Sequence, residues 1–520
     1  MNTISHLALA DFRERVRGFG FLVTVALAAF LGYQVINGFF TLRLGNYRGV
    51  YNAAWIGTLM AVTLGFFITL IGFYLVRGNV QRDRHTGVGQ ILAAAPLRNI
   101  DYVMGKFLSN AASLLVMVGI MALAAFIMLL IHGEDRTLDL YQLVMPFLFF
   151  SVPTALVTAA VALFFDCTPY LRHSPGNVIY FVLWLFGSPL VITGLVGMSA
   201  IERGMTVALR SQGTTYQGGI VLGALGAGEL QTFLWTGFDG STLAASRFVY
   251  VAVAVLLAAL SLLTFDRFDS EGFRGSPFQG TTWTQRLAAR LFTTGSARSE
   301  KLLVQPRGNG LSPVSQATSA IGLFGALVRA EIRLLLKGRS LPWYVVTAGL
   351  FLASLLTPLD GVQSWVLPAI WLWPLVLWSE MGVRETRYRV YEILFSSPFP
   401  ARRQLLATWA AGVLLAMALG SGVLVRILTE PRLLPGFLAG ALFIPSLALL
   451  LGVVSKAERP FQILMLIAWY LGPMNGLAPL DITAATTGAL EQGIPWFYVA
   501  ASPVLLALAV LARQRQLKIQ

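Results

Sequence analysis

The sequence predicts an all-α polytopic membrane protein of about 12 transmembrane helices, built as two tandem six-span units. Three observations predict it. Apolar residues make up 56% of the 520-residue chain and charged residues 12%, against about 25% charged in soluble domains. Mean hydropathy is +0.71, and a soluble fold of this length has no interior able to hide so much apolar surface. The apolar residues fall in runs of about 18 or more, enough to cross a bilayer, and the charged segments between those runs recur in the second half.

The chain opens on a charged stretch, Asp11-Phe12-Arg13-Glu14-Arg15-Val16-Arg17-Gly18, in which Leu9, Phe12 and Val16 share a helical face. Its pattern of acid, one residue, base, three residues, base, glycine returns as Glu331-Ile332-Arg333-Leu334-Leu335-Leu336-Lys337-Gly338. There Arg329, Arg333 and Lys337 form a polar stripe, and Phe324, Val328, Ile332 and Leu335 an apolar one. A signal peptide also starts with positive charge, but a cleaved leader needs no copy in mid-chain. Both stretches read as amphipathic helices lying in the membrane surface, with Arg13, Arg17, Arg333 and Lys337 on their polar faces. The simpler alternative is the basic flank of a span.

Spans are predicted near 19–37, 53–76, 102–131, 141–165, 177–198 and 247–265, then near 341–357, 364–381, 404–428, 434–455, 459–480 and 495–512. Lysine and arginine collect in cytoplasmic loops. Arg13, Arg15 and Arg17 therefore place the N-terminus inside, as do Arg77, Arg82, Arg84, Arg98 and Lys106 the loop after span two. Glu134, Asp135 and Asp139 against Arg136 make 132–140 external; Arg172, Lys456, Arg459, Arg513, Arg515 and Lys518 fall inside, and Arg426 and Arg432 are the exceptions. This gives a multi-pass protein of a bacterial inner membrane with both termini cytoplasmic. The net charge of +14 is thus read as orientation, with no nucleic-acid partner. Residues 266–318, rich in Gly, Ser, Thr, Pro and Arg, read as a loosely ordered cytoplasmic linker between a first half (1–265) and a second half (319–520).

Two charged islands link the second and third spans of each half. The first is Arg82-Asp83-Arg84-His85-Thr86-Gly87 through Gln90-Ile91-Leu92 to Pro96. The second is Arg384-Glu385-Thr386-Arg387 through Glu392-Ile393-Leu394 to Pro398, at a constant offset of 302. A basic loop obeying the charge bias would need neither the recurring acids nor the Ile-Leu pair. A short helix docking on a soluble partner would use both, Ile-Leu as apolar anchors and the charges as a rim. The external segment before the last span is long in the first half (199–246) and short in the second (481–493). Both are entered through interrupted runs, Phe186-Gly187-Ser188-Pro189 and Leu471-Gly472-Pro473. Such breaks mark either a transport path or ordinary helix ends.

Catalytic chemistry is missing. There is no Gly-x-x-x-x-Gly-Lys-Ser/Thr phosphate loop, since Gly105-Lys106 lacks the upstream glycine spacing and the hydroxyl. No nucleophile elbow, His-Glu-x-x-His motif or paired carboxylates occur. The single Cys167 and four histidines exclude an intrachain disulfide and argue against a metal centre. Asp166 and Glu380, near span ends, read as wetted helix termini. Trp365, Trp371, Trp373 and Trp378 read as interfacial anchors and lipid-facing core.

Taken with these residues, the chain resembles the type-2 ABC exporter permeases. That family has an amphipathic elbow before its first span and a coupling helix between spans two and three, often Glu-Arg-Glu-x-Gly-Thr-x-Glu-x-Leu-x-x-x-Pro before a lysine-bearing span. Arg82-Asp83-Arg84 through Thr86-Gly87, Gln90, Ile91-Leu92 and Pro96, then Gly105-Lys106, fit this pattern. So do Arg384, Glu385 and Arg387 through Glu392, Ile393, Leu394 and Pro398, although Tyr388-Arg389 replace Thr-Gly and Thr408 stands where Lys106 does. The resemblance spans nearly the whole chain. It implies a transport subunit that is not itself an enzyme and carries no cofactor. Two copies of a soluble ABC ATPase on separate chains would bind ATP and Mg, dock on the coupling segments and drive export of a small-molecule, peptide or lipid-like substrate. The alternative is a proton-coupled carrier of the major facilitator type, which also has six plus six spans and a charged loop between spans two and three. Gly78 to Asp83 is one residue too long for that family's loop motif. A membrane-embedded lipid enzyme would show a polar constellation at one face, and none is visible.

Overall fold

In hydrocarbon a backbone must satisfy its own hydrogen bonds, so long apolar runs close into helices. A computed structural model of the chain shows this for the residues it describes: 3–17, 19–169, 171–172, 174–213, 219–223, 230–238, 240–265, 320–337, 339, 341–387 and 400–519. The chain divides into two compact units, Met1–Gly272 and Phe273–Gln520, with the border inside the predicted linker 266–318. The residues of that linker lie outside those described.

Unit 1 begins with α1 (Thr3–Val16), which packs on α6 (Asn99–His132), and α2 (Phe19–Ile36), which packs on α6 too. Its one buried residue is Asp11, while Leu9 and Val16 are exposed together with His6, Arg13, Glu14 and Arg17, and Phe12 is half-buried. α3 (Ala53–Phe67) runs on through a π-helical turn, Ile68–Gly72, to Val76. Two short helices follow, α4 (Asn79–Thr86) and α5 (Val88–Ala94). Gly78 (φ 93°) and Gly87 (φ 80°) bracket α4 in left-handed conformations that side-chain-bearing residues resist. After α6 come α7 (Leu140–Pro146), a π turn at Phe147–Ser151 and α8 (Val152–Cys167). α9 (Ser174–Leu190) ends in a third π turn, Val191–Leu195; α10 (Met198–Ser211) and α11 (Gly240–Thr264) complete the unit, α11 lying along α8.

The far end of unit 1 departs from an all-α fold. Four short strands form one sheet in the order β3-β1-β2-β4. β1 (Thr41–Leu44) and β2 (Tyr47–Gly49) form a hairpin, β1 pairs antiparallel with β3 (Ile220–Gly223), and β2 pairs parallel with β4 (Gln231–Phe233). The pairing joins stretches well over a hundred residues apart, which no local pattern announces. An edge-to-face aromatic cluster holds the sheet to the helices: Trp55 meets Phe233 at 5.7 Å and Trp235 at 6.1 Å, and Trp235 meets Phe238 at 4.8 Å. Asn52 serves both parts, accepting from the Trp55 amide to cap α3 and donating to the Trp235 carbonyl at 2.8 Å.

Unit 2 comprises α12 (Ala320–Leu336), α13 (Leu341–Leu356), a π turn (Val362–Val366) leading into α14 (Leu367–Leu372), then α15 (Leu375–Ser379) and α16 (Arg384–Arg387). α17 (Pro400–Leu419) and α18 (Ser421–Ile427) follow, then α19 (Leu434–Ser455), α20 (Arg459–Trp469), α21 (Thr487–Glu491) and α22 (Ile494–Ile519), with α19 and α22 packed along each other.

Among the described residues, seven helices are long and apolar enough to cross a membrane: those over Ala53–Arg84, Asn99–His132, Leu140–Cys167, Gly176–Leu195, Arg247–Thr264, Pro431–Ser455 and Ile494–Leu517. The pair Arg403–Leu419 and Ser421–Ile427, bent by 68° at Gly420, makes up to eight. The other five spans of the predicted twelve are short or broken among the described residues, so the count of twelve is not confirmed. Thr24–Ile36 and Trp343–Leu356 are apolar but short. The predicted span 364–381 is interrupted at Pro374, which follows α14 and caps α15. α20 gives way to a π turn at Tyr470–Met474 that contains Pro473. The interrupted runs at 186–189 and 471–473 are therefore not abrupt helix ends. Each passes into a π turn and then reverses at a left-handed glycine, Gly197 or Gly476.

Small residues set helix spacing where α3 meets α7. A Cβ added at Gly57 would stand 2.5 Å from the Leu143 carbonyl oxygen. Gly57→Ala is expected to lower stability in detergent by about 1–3 kcal/mol, whereas Gly119→Ala, which meets nothing within 4 Å, leaves it unchanged or slightly raised. Thermal unfolding of the two variants side by side checks this.

Candidate functional site

The charged island of unit 1 folds as α4 and α5, and its charges split into an inward and an outward set. Asp83 is 5% exposed and faces into the unit. Its carboxylate meets Lys106 of α6 at 2.8 Å and accepts from the Tyr102 hydroxyl at 2.7 Å. Lys106 also reaches Asp11 of α1 at 2.6 Å. Asp11 is the node of the cluster. It accepts further from Arg82 (3.2 Å), Arg15 (2.9 Å) and Ser109 (2.5 Å). Arg82 turns at the surface to Glu14 as well, at 2.9 Å. Arg15 and Asn79 both donate to the side-chain Oδ1 of Asn110, tying α1 and α4 to α6. Four elements therefore meet through side chains: α1, α4, α6 and, through Asp166, α8.

Asp166 does a different job from the one its position suggested. Read from sequence as a wetted terminus, it is 1% exposed. Its carboxylate accepts the backbone amides of Gly78 and Asn79 and pairs with Arg77 at 3.5 Å. A carboxylate from α8 thus supplies the N-terminal amides of α4 that the helix itself leaves unbonded. Arg77 in turn donates to Asn177 and to the Leu171 carbonyl. Glu380, also read as wetted, pairs with Arg339 at 2.8 Å.

Unit 2 repeats the central contact with different supports. Glu331 of α12, the counterpart of Asp11 in the doubled motif, receives Arg384 at 2.9 Å, as Asp11 receives Arg82. Gln404 donates to its other oxygen at 2.6 Å. Glu385, the counterpart of Asp83, is 6% exposed. Thr408 stands where unit 1 has Lys106, and Arg513 of α22 faces Glu385 instead, at 3.5 Å, while donating to the Gly382 carbonyl at 3.0 Å. Arg387 pairs with Glu458. Arg333 and Lys337 are exposed along α12.

The charged rim expected for docking is thus partly spent inside: Asp83 and Glu385 are buried in intramolecular pairs. What unit 1 presents outward is Ile91, 72% exposed, with exposed Val88 and Gln90 beside it; Leu92 and Arg84 are half-buried. Glu392, Ile393 and Leu394 lie outside the described residues. Sequence reasoning missed Asp11, Glu331, Asp166 and Arg513 as members. The signal for the first two was present, because the acid is the fixed first letter of the doubled motif. Among the described residues, no three His, Cys, Asp or Glu side chains gather to hold a metal ion. Comparison with family models, with curated proteins and with solved structures gives no match.

The carboxyls of Asp11 and Glu331 shift in opposite directions. Burial pushes the Asp11 carboxyl up, but the charges of Arg15 and Lys106, with hydrogen bonds from Lys106 and Ser109, outweigh it and hold the group at about 2. Glu331 is raised, because burial and the like charge of Glu385 exceed the pull of Arg384 and the Gln404 hydrogen bond. For Asp11 the folded value lies below its ordinary 3.8, so its contribution is complete above that pH and is lost as the pH falls through about 2. Acid unfolding of the wild type is expected to show a component in that window that Asp11→Asn lacks, followed by fluorescence against pH. Lys106→Met leaves two buried carboxylates without their shared cation and is expected to cost about 3–5 kcal/mol, read as a fall in Tm in detergent.

Proposed function

We propose that the chain is the membrane-spanning permease subunit of an ATP-driven exporter whose ATPase resides on a separate chain. The observation that carries this reading is the repeated pair Asp11–Arg82 and Glu331–Arg384. In each unit it clamps a surface helix to the charged segment that follows the second apolar segment. A short helix intended only to satisfy a charge bias needs no such anchorage. A helix that receives a push does, because the load must reach the bundle without being absorbed in a loose loop. In unit 1 the exposed Ile91, Val88 and Gln90 form the tip of that anchored segment, with an apolar anchor beside polar groups as partner-docking helices present.

In this reading two copies of a soluble ATPase bind ATP and Mg and dock at the coupling segments on the cytoplasmic side of a bacterial inner membrane. Their closure moves α1, α4 and α6 together, and twelve spans as two repeats carry a small-molecule, peptide or lipid-like substrate outward. The substrate must meet the two transport states with different affinity for the cycle to be driven.

A proton-coupled carrier of the major facilitator type is the second reading. The buried pairs Lys106–Asp83 and Arg77–Asp166 are the observation in its favour, since ionisable groups inside apolar helices serve proton relays. Reconstituted vesicles separate the two. Vanadate-sensitive, ATP-dependent transport with a co-purifying ATPase fits the exporter, and loss of transport on collapsing the proton gradient, without any ATPase, fits the carrier.

Ile91→Glu is expected to weaken ATPase recruitment by about tenfold or more, the effect of an interface anchor, while the Tm stays within the range of a surface change, about 0.5 kcal/mol. Pull-down of the ATPase with wild-type and variant permease checks it. Equal recovery would remove Ile91 from the docking surface.

A further inference from the structure

Arg247 is a buried cation with no counter-charge among the described residues. It stands near the start of α11, at the sheet end of unit 1, and is 6% exposed. Its Nη1 donates to the carbonyls of Gly194 (2.9 Å) and Leu195 (3.3 Å) at the end of the third π turn. The guanidinium lies over Phe150 at 5.0 Å and over Tyr250 at 5.3 Å. Its Nε is buried without a hydrogen bond. Among the described residues no carboxylate pairs with it, and Arg203 adds a charge of like sign.

The other buried cations among the described residues of the unit, Arg77 and Lys106, each meet an aspartate, as does the half-buried Arg15. Burying a charge without an opposite one is costly. Capping two carbonyls needs a donor, which a neutral side chain could supply. It does not account for a full charge, nor for a second cation close by. Arg203 is held at this place by a bond from its Nε to the Ser199 carbonyl (3.1 Å), and the Ser199 hydroxyl donates to the Thr193 carbonyl in the π turn (2.8 Å). The Tyr250 hydroxyl would lie 2.9 Å from a Cβ at Gly194, so it faces the same turn. Apolar surface adjoins the group, with Phe186, Leu190 and Phe248 between 70% and 81% exposed.

We propose that Arg247, Arg203 and Tyr250 form a binding site for the anionic headgroup, phosphate or carboxylate, of an amphiphile whose apolar chain lies on Phe186, Leu190 and Phe248. The anion supplies the missing counter-charge, and Tyr250 adds a neutral donor. The apolar surroundings select an anion carried on a chain over a free one. The site stands on unit 1 alone and does not depend on the exporter reading.

The full chain, purified in neutral detergent, is titrated with dodecyl phosphate, with a neutral dodecyl glycoside and with inorganic phosphate. Binding is read by native mass spectrometry and by Tm. One dodecyl phosphate is expected to be retained in preference to the glycoside, with inorganic phosphate far weaker. Arg247→Gln is expected to abolish retention, and Arg203→Gln to weaken it about tenfold, the worth of a charge-assisted contact. Tyr250→Phe should weaken it less. Should Arg247→Gln fail to fold, the Arg203→Gln and Tyr250→Phe variants, altered at less buried positions, decide. Equal retention of anionic and neutral ligand, or binding unchanged in folded Arg203→Gln and Tyr250→Phe, overturns the site. Nanodiscs distinguish the source of the ligand. Displacement of dodecyl phosphate by phosphatidylglycerol, but not by phosphatidylcholine, identifies a bilayer lipid as the occupant, and no displacement by either identifies a diffusing amphiphilic substrate.

Discussion

The carboxylate of Asp11 and its counterpart Glu331 hold the charged segments in place. An acid on a surface helix has an open choice between water and a neighbour. On α1 the acid is the one residue turned fully into the bundle, while Leu9, Arg13, Glu14 and Val16 stay exposed. Once buried it requires cations, and Arg82 and Lys106 supply them from α4 and α6. Removing either partner alone leaves a charge in low dielectric, which costs more than the intact pair contributes. The cluster therefore acts less as a source of stability than as a register pin. It admits one arrangement of α1, α4 and α6, because other arrangements strand a charge.

The two units show which parts of this pin are interchangeable. The acid and the first arginine of the island persist, as Asp11–Arg82 and Glu331–Arg384. The cation facing the second acid does not. Lys106 comes from the helix that follows the island, whereas Arg513 comes from the last helix of its unit. Asp11 gathers three cationic side chains and a serine, while Glu331 gathers one cation and an amide. This is why their carboxyls shift in opposite directions. The segment of unit 1 is anchored through charge that survives acid, and that of unit 2 through a pair closer to giving up its charge.

What the sequence made legible follows from what repeats or runs continuously. Long apolar stretches such as 102–131 and 434–455 signal their helices directly, and the charged islands stand out against them. The doubled motif brought Asp11 and Glu331 into view, but only as parts of a surface helix, since their partners lie 71 and 53 residues further along the chain. Asp166 and Arg513 carried no local sign at all. An acid next to a span end looks the same whether it is wet or caps a helix from another segment. The sheet escaped for a similar reason: β1 meets β3 across 182 residues. Helix breaks were not legible where apolar composition persists through Pro374, Gly420 and Pro473, residues that end or bend a helix without lowering its hydropathy.

The charged ends of unit 1 are joined by two helices lying side by side. α11 starts near Arg247 at the π turn, and just beyond its other end Phe265 stacks on Tyr102 at 5.1 Å. The Tyr102 hydroxyl is bonded to Asp83, so that end rests on the elbow cluster. α8 spans the same distance. Thr154 near its start donates to the Leu195 carbonyl at 3.4 Å, and Asp166 near its end holds the first amides of α4. An α-helix resists change in length because every turn is closed by its own hydrogen bonds. A shift of α4 relative to the bundle must therefore either break the Asp166 contacts or carry α8 with it. If α8 is carried, the Leu195 carbonyl moves, and that carbonyl is one of the two acceptors that hold Arg247. The geometry couples the buried charge at one end of the unit to the clamped segment at the other through two rigid rods and no loop.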